Sequence, residues 1–192
     1  MVSTPTRPDR LGWRAPLLDA ASLLESVPRG HLDLNVLMAV NRLVVPTTNS
    51  LRGRLREGPA VIRLGGIACW HAPDAHAARI LTTSSLEWLS GTLIEGGASI
   101  SPVTWAAEAF FLLTDAHPFM DGNGRVARAV ATWLLLRAGY GLGADPGAYM
   151  RERKHCCYHA LAVRQGVGRI CNPVPWTAFF EDLAAECYLA PA

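Results

Sequence analysis

Residues 117–128 read His117-Pro118-Phe119-Met120-Asp121-Gly122-Asn123-Gly124-Arg125-Val126-Ala127-Arg128. Gly122-Asn123-Gly124 can take positive or otherwise unusual φ at successive residues. Their backbone N–H groups can then turn inward and form an anion-binding concavity. The apolar run Ala129–Leu136 follows, so the concavity opens into a helix N-terminus, which already favours negative charge. Such a place suits a phosphate.

The two arginines sharpen this reading. Arg125 and Arg128 stand three apart, so they share a helix face, at the end where cations oppose the helix dipole. No acidic residue lies between Asp121 and Asp145 to offset them. The chain holds seventeen Arg and one Lys, so an arginine alone is weak evidence; here position carries the argument. Asp121 stands at the mouth of the concavity. A carboxylate beside bound phosphates repels them unless a cation bridges, and Mg²⁺ is held by one or two carboxylates with phosphate oxygens and water. The same Asp121 suits a helix N-cap. His117 can take a proton from an attacking hydroxyl near neutral pH.

Helical patterns flank this stretch, at Pro102–Asp115, where Pro102 suits a first turn, and at Arg125–Gly139, where Gly139 suits a C-terminal cap. Further helices are expected at Pro16–Ser26, His31–Val44 and Pro73–Glu95, and weaker ones at Pro146–Arg164 and Pro175–Leu189. Residues 1–15, with Pro5, Pro8 and Gly12, read as a loose arm. Leu51–Ile67 reads as a short β-hairpin that turns at Glu57-Gly58-Pro59 and is closed by Gly65-Gly66. Within it Arg52, Arg54 and Arg56 alternate and would share one face of a strand. They could dock an acidic target or a nucleic acid; guarding an exposed edge strand is the simpler reading. The expected architecture is a compact, mainly α domain with one short hairpin.

Composition sets the bounds. A chain of 192 residues, half of them hydrophobic and 18% charged, is long enough for one sizeable core and too apolar for intrinsic disorder. A formal net charge of +2 argues against a nucleic-acid partner. The five cysteines form no CxxC pair, which leaves reduced thiols as the expectation. His155 and His159 have metal-capable spacing but no evident third ligand. No apolar signal-peptide core opens the chain and no apolar stretch is long enough to span a bilayer, so a cytoplasmic protein with no membrane partner is expected. Trp133 reads as core; Asn172 and Trp176 are candidates for contact with a base.

The stretch 117–128 resembles the signature of the Fic-domain family, H-P-F-x-(D/E)-G-N-G-R-x-x-R, at every constrained position. Gly53-Arg54 to Gly65-Gly66 resembles that family's flap hairpin. Trp70-His71-Ala72-Pro73 and Asn172-Pro173…Trp176…Phe179-Phe180 are similar to its later segments. The resemblance implies a Fic-type helical domain over residues 34–187, after an arm and helix at 1–33 and before a tail at 188–192. It implies Mg²⁺-dependent transfer of AMP from ATP to a Ser, Thr or Tyr hydroxyl of a protein target. His117 would be the general base and Asp121 the Mg²⁺ ligand. Gly122, Asn123 and Gly124 would line the anion hole, Arg125 would contact the β-phosphate, and Arg128 would reach the far phosphate. Leu55, Val61, Ile62, Arg63 and Leu64 of the flap would hold the target by strand-like pairing.

Many members carry an inhibitory [S/T]-x-x-x-E-[G/N] helix whose Glu pairs with the last motif Arg, here Arg128. No strict match exists; Thr177…Glu181 has the spacing but is followed by Asp182. Glu181 is therefore a candidate inhibitory residue, and a separate inhibitory protein is a candidate partner. The alternatives left open are another nucleotide or phosphoryl group, a non-protein hydroxyl acceptor, or a non-catalytic nucleotide-binding module.

Overall fold

A computed structural model describes residues 14–28, 31–64, 67–94, 100–165 and 172–191. Side chains of residues 62–70 are not described. The order among the described residues is α1 (Arg14–Ser26), α2 (Leu34–Val44), β1 (Val61–Leu64), β2 (Ile67–His71), α3 (Ala75–Ile94), α4 (Pro102–Ala116), α5 (Asn123–Arg137), β3 (Gly141–Leu142), α6 (Pro146–Glu152), α7 (Lys154–Arg164), α8 (Val174–Cys187) and β4 (Tyr188–Leu189). The fold is mainly helical, as the periodicity predicts.

The fold is built around α4 and α5. Val126, Ala127, Val130, Leu134 and Leu135 of α5 are each at most 1% exposed. A helix apolar on nearly every side has to run through the middle of a domain. α4 faces it with Ala106, Ala109, Phe110 and Leu113, and α1, α2, α3 and α8 cover the pair. α1 is pinned to α5 by Glu25, which accepts from Trp133 Nε1 at 2.8 Å and from Arg137 at 2.6 Å. On the α8 side, Trp176 is fully buried against Phe110, Phe179 and Phe180, and its indole N–H donates to the carbonyl of Ala107 at 2.8 Å. Trp176 is therefore core and no base contact. Asn172 is spent on the start of α8, accepting from Val174 N.

Several expectations change. The hairpin is displaced along the chain: β1 and β2 pair from Val61↔His71 to Leu64↔Ile67, so Glu57-Gly58-Pro59 precedes the first strand. The expected closure at Gly65-Gly66 lies outside the described residues, although Leu64 and Ile67 pair across it. The expected helix Pro146–Arg164 is two helices that meet at Arg153. The last helix stops at Cys187, and Tyr188–Leu189 pairs with Gly141–Leu142. There the Tyr188 and Thr132 hydroxyls bond at 2.7 Å in the core. Leu17, Ala20, Ala21 and Leu24 of α1 and Tyr188 of β4 lie in the same buried cluster as α4 and α5. The expected arm at 1–15 lies outside the described residues up to residue 13, and α1 begins at Arg14.

Cys156, Cys157 and Cys187 are free; burial pushes the Cys157 thiol up to about 12, so it is chemically idle. No helix among the described residues is long and apolar enough to cross a membrane.

Candidate functional site

α4 ends where the polar stretch begins. His117 caps it in the left-handed region, with φ 50° and ψ 55°, and is the one non-glycine with positive φ among the described residues. Such strain persists only where surrounding contacts enforce it. One contact on His117 comes from Arg56, a residue expected on an exposed strand face. It is 2% exposed. Its Nε donates to the His117 carbonyl at 2.6 Å, Nη1 to the Gly58 carbonyl at 2.9 Å, and Nη2 to the Pro73 carbonyl. One guanidinium thus ties the motif loop to both segments flanking the hairpin. The His117 imidazole is lowered to about 4, first by burial and also by the Arg56 charge, with a backbone hydrogen bond at Thr114 opposing. It is a neutral base at neutral pH.

The next residues are held by pairing. Arg56 N donates to Pro118 O at 2.9 Å and Met120 N to Arg54 O at 3.1 Å, around a bridge between Leu55 and Phe119. Leu55 therefore pairs with the motif loop and lies outside the hairpin. Val61, Ile62, Arg63 and Leu64 form β1 of a two-stranded sheet, which leaves each strand one unpaired edge among the described residues. Phe119 is buried, and Asn123 clamps its main chain, accepting from Phe119 N at 2.8 Å and donating to Phe119 O at 2.9 Å. The Asn123 side chain is thus spent on the loop.

Gly122 is the N-cap of α5 at φ 88°. A Cβ there would lie 2.3 Å from Val45 Cγ2; only glycine fits. Gly122 is the single positive-φ residue of the Gly-Asn-Gly run, while Asn123 and Gly124 are already helical. Gly122 O accepts from Arg125 N and Val126 N, and α5 has no side-chain cap. The N–H groups of Asn123 and Gly124 are left without an acceptor among the described residues. The anion hole is thus a bare helix start instead of a nest of successive left-handed residues.

Asp121 is not the N-cap. Its Oδ1 accepts from Gly122 N at 2.6 Å; its Oδ2 accepts from Asn49 Nδ2 at 2.6 Å and from Arg125 at 3.4 Å. Its carbonyl accepts from Asn41 Nδ2 at 2.9 Å, and Asn41 Oδ1 accepts from Gly53 N at 2.6 Å. Asn41, fully buried, joins α2, the segment before the hairpin and the motif loop. Neither Asn41 nor Asn49 is among the residues that the sequence singles out. A polar residue inside a buried stripe is the signal that marks the first; none marks the second.

Arg125 and Arg128 open onto a cleft of about 460 Å³, which Arg52, Arg151 and Asp145 also line. Arg128 touches Met150 Sδ at 3.9 Å and has no carboxylate in ion-pair contact among the described residues. Burial lowers its pKa and the nearby Asp145 opposes this. Glu181 is exposed on α8 and makes no ion pair with Arg128 among the described residues. His155 and His159 join no metal-capable cluster among the described residues.

A sequence profile described as the Fic/DOC family matches residues 31–135. The protein adenylyltransferase Fic of Drosophila persimilis is 36% identical over 92 residues, 47% of this chain and 17% of that protein. The protein of the same name from Drosophila willistoni is 39% identical over 75 residues, 39% of this chain and 14% of that one. The chain thus spans less than a fifth of these relatives' length. Among solved structures, Fic-1 from C. elegans superposes with a TM-score of 0.67 at 19% identity, over 96% of this chain and 52% of that one. BepC, a VirB-translocated effector from Bartonella tribocorum solved with bound AMPPNP, gives 0.58 at 21%, over 88% and 82%. IbpAFic2, solved covalently tethered to Cdc42, gives 0.61 at 19%, over 88% and 54%. These three share the fold.

Proposed function

This chain belongs to the Fic/DOC family, and from that premise we propose that it transfers AMP from ATP to a Ser, Thr or Tyr hydroxyl of a target protein. The observation that carries this reading is the bare start of α5. The Asn123 and Gly124 N–H groups have no acceptor among the described residues, and two arginines stand beside them over a cleft. A helix start built this way is made for phosphate oxygens.

In this reading a polyphosphate lies along the α5 N-terminus. Gly122, by lacking a Cβ, lets the loop pack closely on Val45. Arg125 takes the β-phosphate and Arg128 the outermost one. His117, held neutral, accepts the proton of the attacking hydroxyl. The hydroxyl oxygen forms a bond to the α-phosphorus while the bond to pyrophosphate breaks. Catalysis of this kind is largely positioning and charge neutralisation. β1 offers a strand edge for the target's main chain.

The donor set at Asp121 fits Mg²⁺. A carboxylate offers about four lone-pair sites, and Gly122, Asn49 and Arg125 occupy three. The one remaining site matches an ion completed by phosphate oxygens and water. Bound there, Mg²⁺ would neutralise phosphate charge. Support for ATP and a protein target comes from the name of the Drosophila relatives and from the AMPPNP and Cdc42 in the structures just described. A separate inhibitory protein would find Arg128 without a carboxylate partner among the described residues.

The test is incubation with α-labelled and γ-labelled ATP, Mg²⁺ and host lysate, beside His117→Ala. Label should pass to protein from the α-position only, and not in the variant. Transfer from the γ-position would make the protein a kinase. Retained ATP binding with no transfer would make it a binding module.

A further inference from the structure

Beside the site runs a second groove, of about 680 Å³, between α2, the segment before β1 and the start of α3. Arg42, Arg52, Arg54 and Arg79 line it, against a single acid, Glu57. Arg42, Arg54 and Arg79 are exposed. None of those three is in an ion pair among the described residues. The whole chain carries a formal charge of only +2, so this gathering is local. Like charges crowded along one groove repel each other, and an acidic partner relieves them.

Between the arginines the lining is apolar, from Met38, Leu55 and Met120. Met120 is 49% exposed, unusual for a large apolar side chain in a loop otherwise pinned on both sides. Methionines adapt to varied apolar partners. Gly53 sits at φ 71°, and a Cβ on it would meet Arg42 Nε at 2.6 Å, so the missing side chain makes room for that arginine. Leu55 and Met120 belong to the two segments that pair next to His117. A segment seated in the groove therefore lies against the loop that holds the base. None of the lining residues is aromatic, which removes the platform that single-stranded nucleic acids stack on.

We propose that this groove docks an acidic segment, interspersed with apolar residues, of the protein that carries the acceptor hydroxyl. Arg54 and Arg79 face its carboxylates, and Leu55 and Met120 take its apolar side chains. Of the three alternating arginines, Arg56 turns inward to the loop while Arg52 and Arg54 serve the groove. The identity of the partner rests on the AMP-transfer reading; the groove's preference for acidic peptide does not.

The experiment uses a short fluorescein-labelled peptide alternating Glu with Leu, its Lys-for-Glu counterpart and a single-stranded oligothymidylate. All are followed by anisotropy without ATP, on the full chain and on His117→Ala. The acidic peptide should bind about tenfold or more tighter than the lysine peptide. Binding should weaken about tenfold or more in the double variant Arg54→Glu/Arg79→Glu and survive in Arg125→Glu. Both charges are on exposed side chains, and circular dichroism checks that the variants remain folded. A benzophenone on the peptide should crosslink to Met38 or Met120. Binding indifferent to the double reversal, lost equally in Arg125→Glu, or weaker than that of the oligothymidylate would overturn the proposal. Because no nucleotide is present and His117→Ala is assayed beside the full chain, a failure of AMP transfer is read separately from a failure of docking.

Discussion

The guanidinium of Arg56 donates through Nε to the main-chain carbonyl of His117 at 2.6 Å. The residue that ends α4 in a left-handed conformation is thus held by a buried charge from the segment before the hairpin. The same guanidinium holds the Gly58 and Pro73 carbonyls, so one side chain joins His117 to both segments that flank the hairpin.

Replacing Arg56 with Met removes three charge-assisted hydrogen bonds and strands their acceptors. The expected loss is on the order of 3 kcal/mol, read from urea midpoints. Arg56→Lys keeps the charge but lacks the fork and should recover only part. If His117 is the base of the proposed transfer, then in the folded fraction the turnover number for label transfer should fall while the KM for ATP stays close to wild type, because Arg56 bonds the His117 carbonyl and not the start of α5. A change confined to KM would contradict this.

Burial and the Arg56 charge hold the His117 imidazole near 4, against 6.5 for a free side chain. The folded affinity for the proton is below the unfolded one. The associated stability is therefore full above pH 6.5 and is lost as pH falls from 6.5 toward about 4, the range in which the unfolded chain takes the proton and the folded one does not. An imidazole ¹⁵N titration, with the His117 signal assigned through His117→Ala, should show a midpoint well below 6.5. In Arg56→Met the midpoint should move upward. A wild-type midpoint at or above 6.5 would refute the assignment.

Gly122→Ala meets two obstacles, a φ of 88° and a contact of 2.3 Å to Val45. It should cost about 2 kcal/mol or more and weaken ATP binding by calorimetry, since the α5 start must shift. Gly58→Ala is the comparison: its Cβ would meet nothing within 4 Å, and it should be within about 0.5 kcal/mol of wild type.

Glu181→Gly should leave label transfer unchanged. The side chain is exposed and in no ion pair with Arg128 among the described residues. A rise in activity would show that α8 reaches the phosphate site after all.

The helices around α4 and α5 were legible because their apolar patterns are long and their ends carry proline or glycine. The hairpin was misplaced because Glu57-Gly58-Pro59 is a strong local turn signal, yet residues 54–56 spend their pairing on Pro118–Met120. The final strand was missed because two residues make too short a pattern to register. Trp176 is a candidate for contact with a base on sequence; its indole instead satisfies Ala107 inside the core. The alternation of Arg52, Arg54 and Arg56 was read correctly as a shared strand face only if they formed a regular strand, and they do not.

The sequence by itself determined that a helix begins at this glycine-rich stretch, with two arginines in its first turns and a histidine just before it; that the start is bare instead of a nest came from the structure. A helix start is made by consecutive residues, and the positive φ of its glycine cap is a local requirement. Tertiary structure alone decided what holds it in place. Arg56 reaches across 61 positions to His117, Asn41 across 80 and Asn49 across 72 to Asp121. Periodicity reports which face of an element is buried, but not which distant backbone carbonyl or carboxylate that face will meet. Only the packing of α2 and the hairpin approach against the loop brings those partners within hydrogen-bond reach.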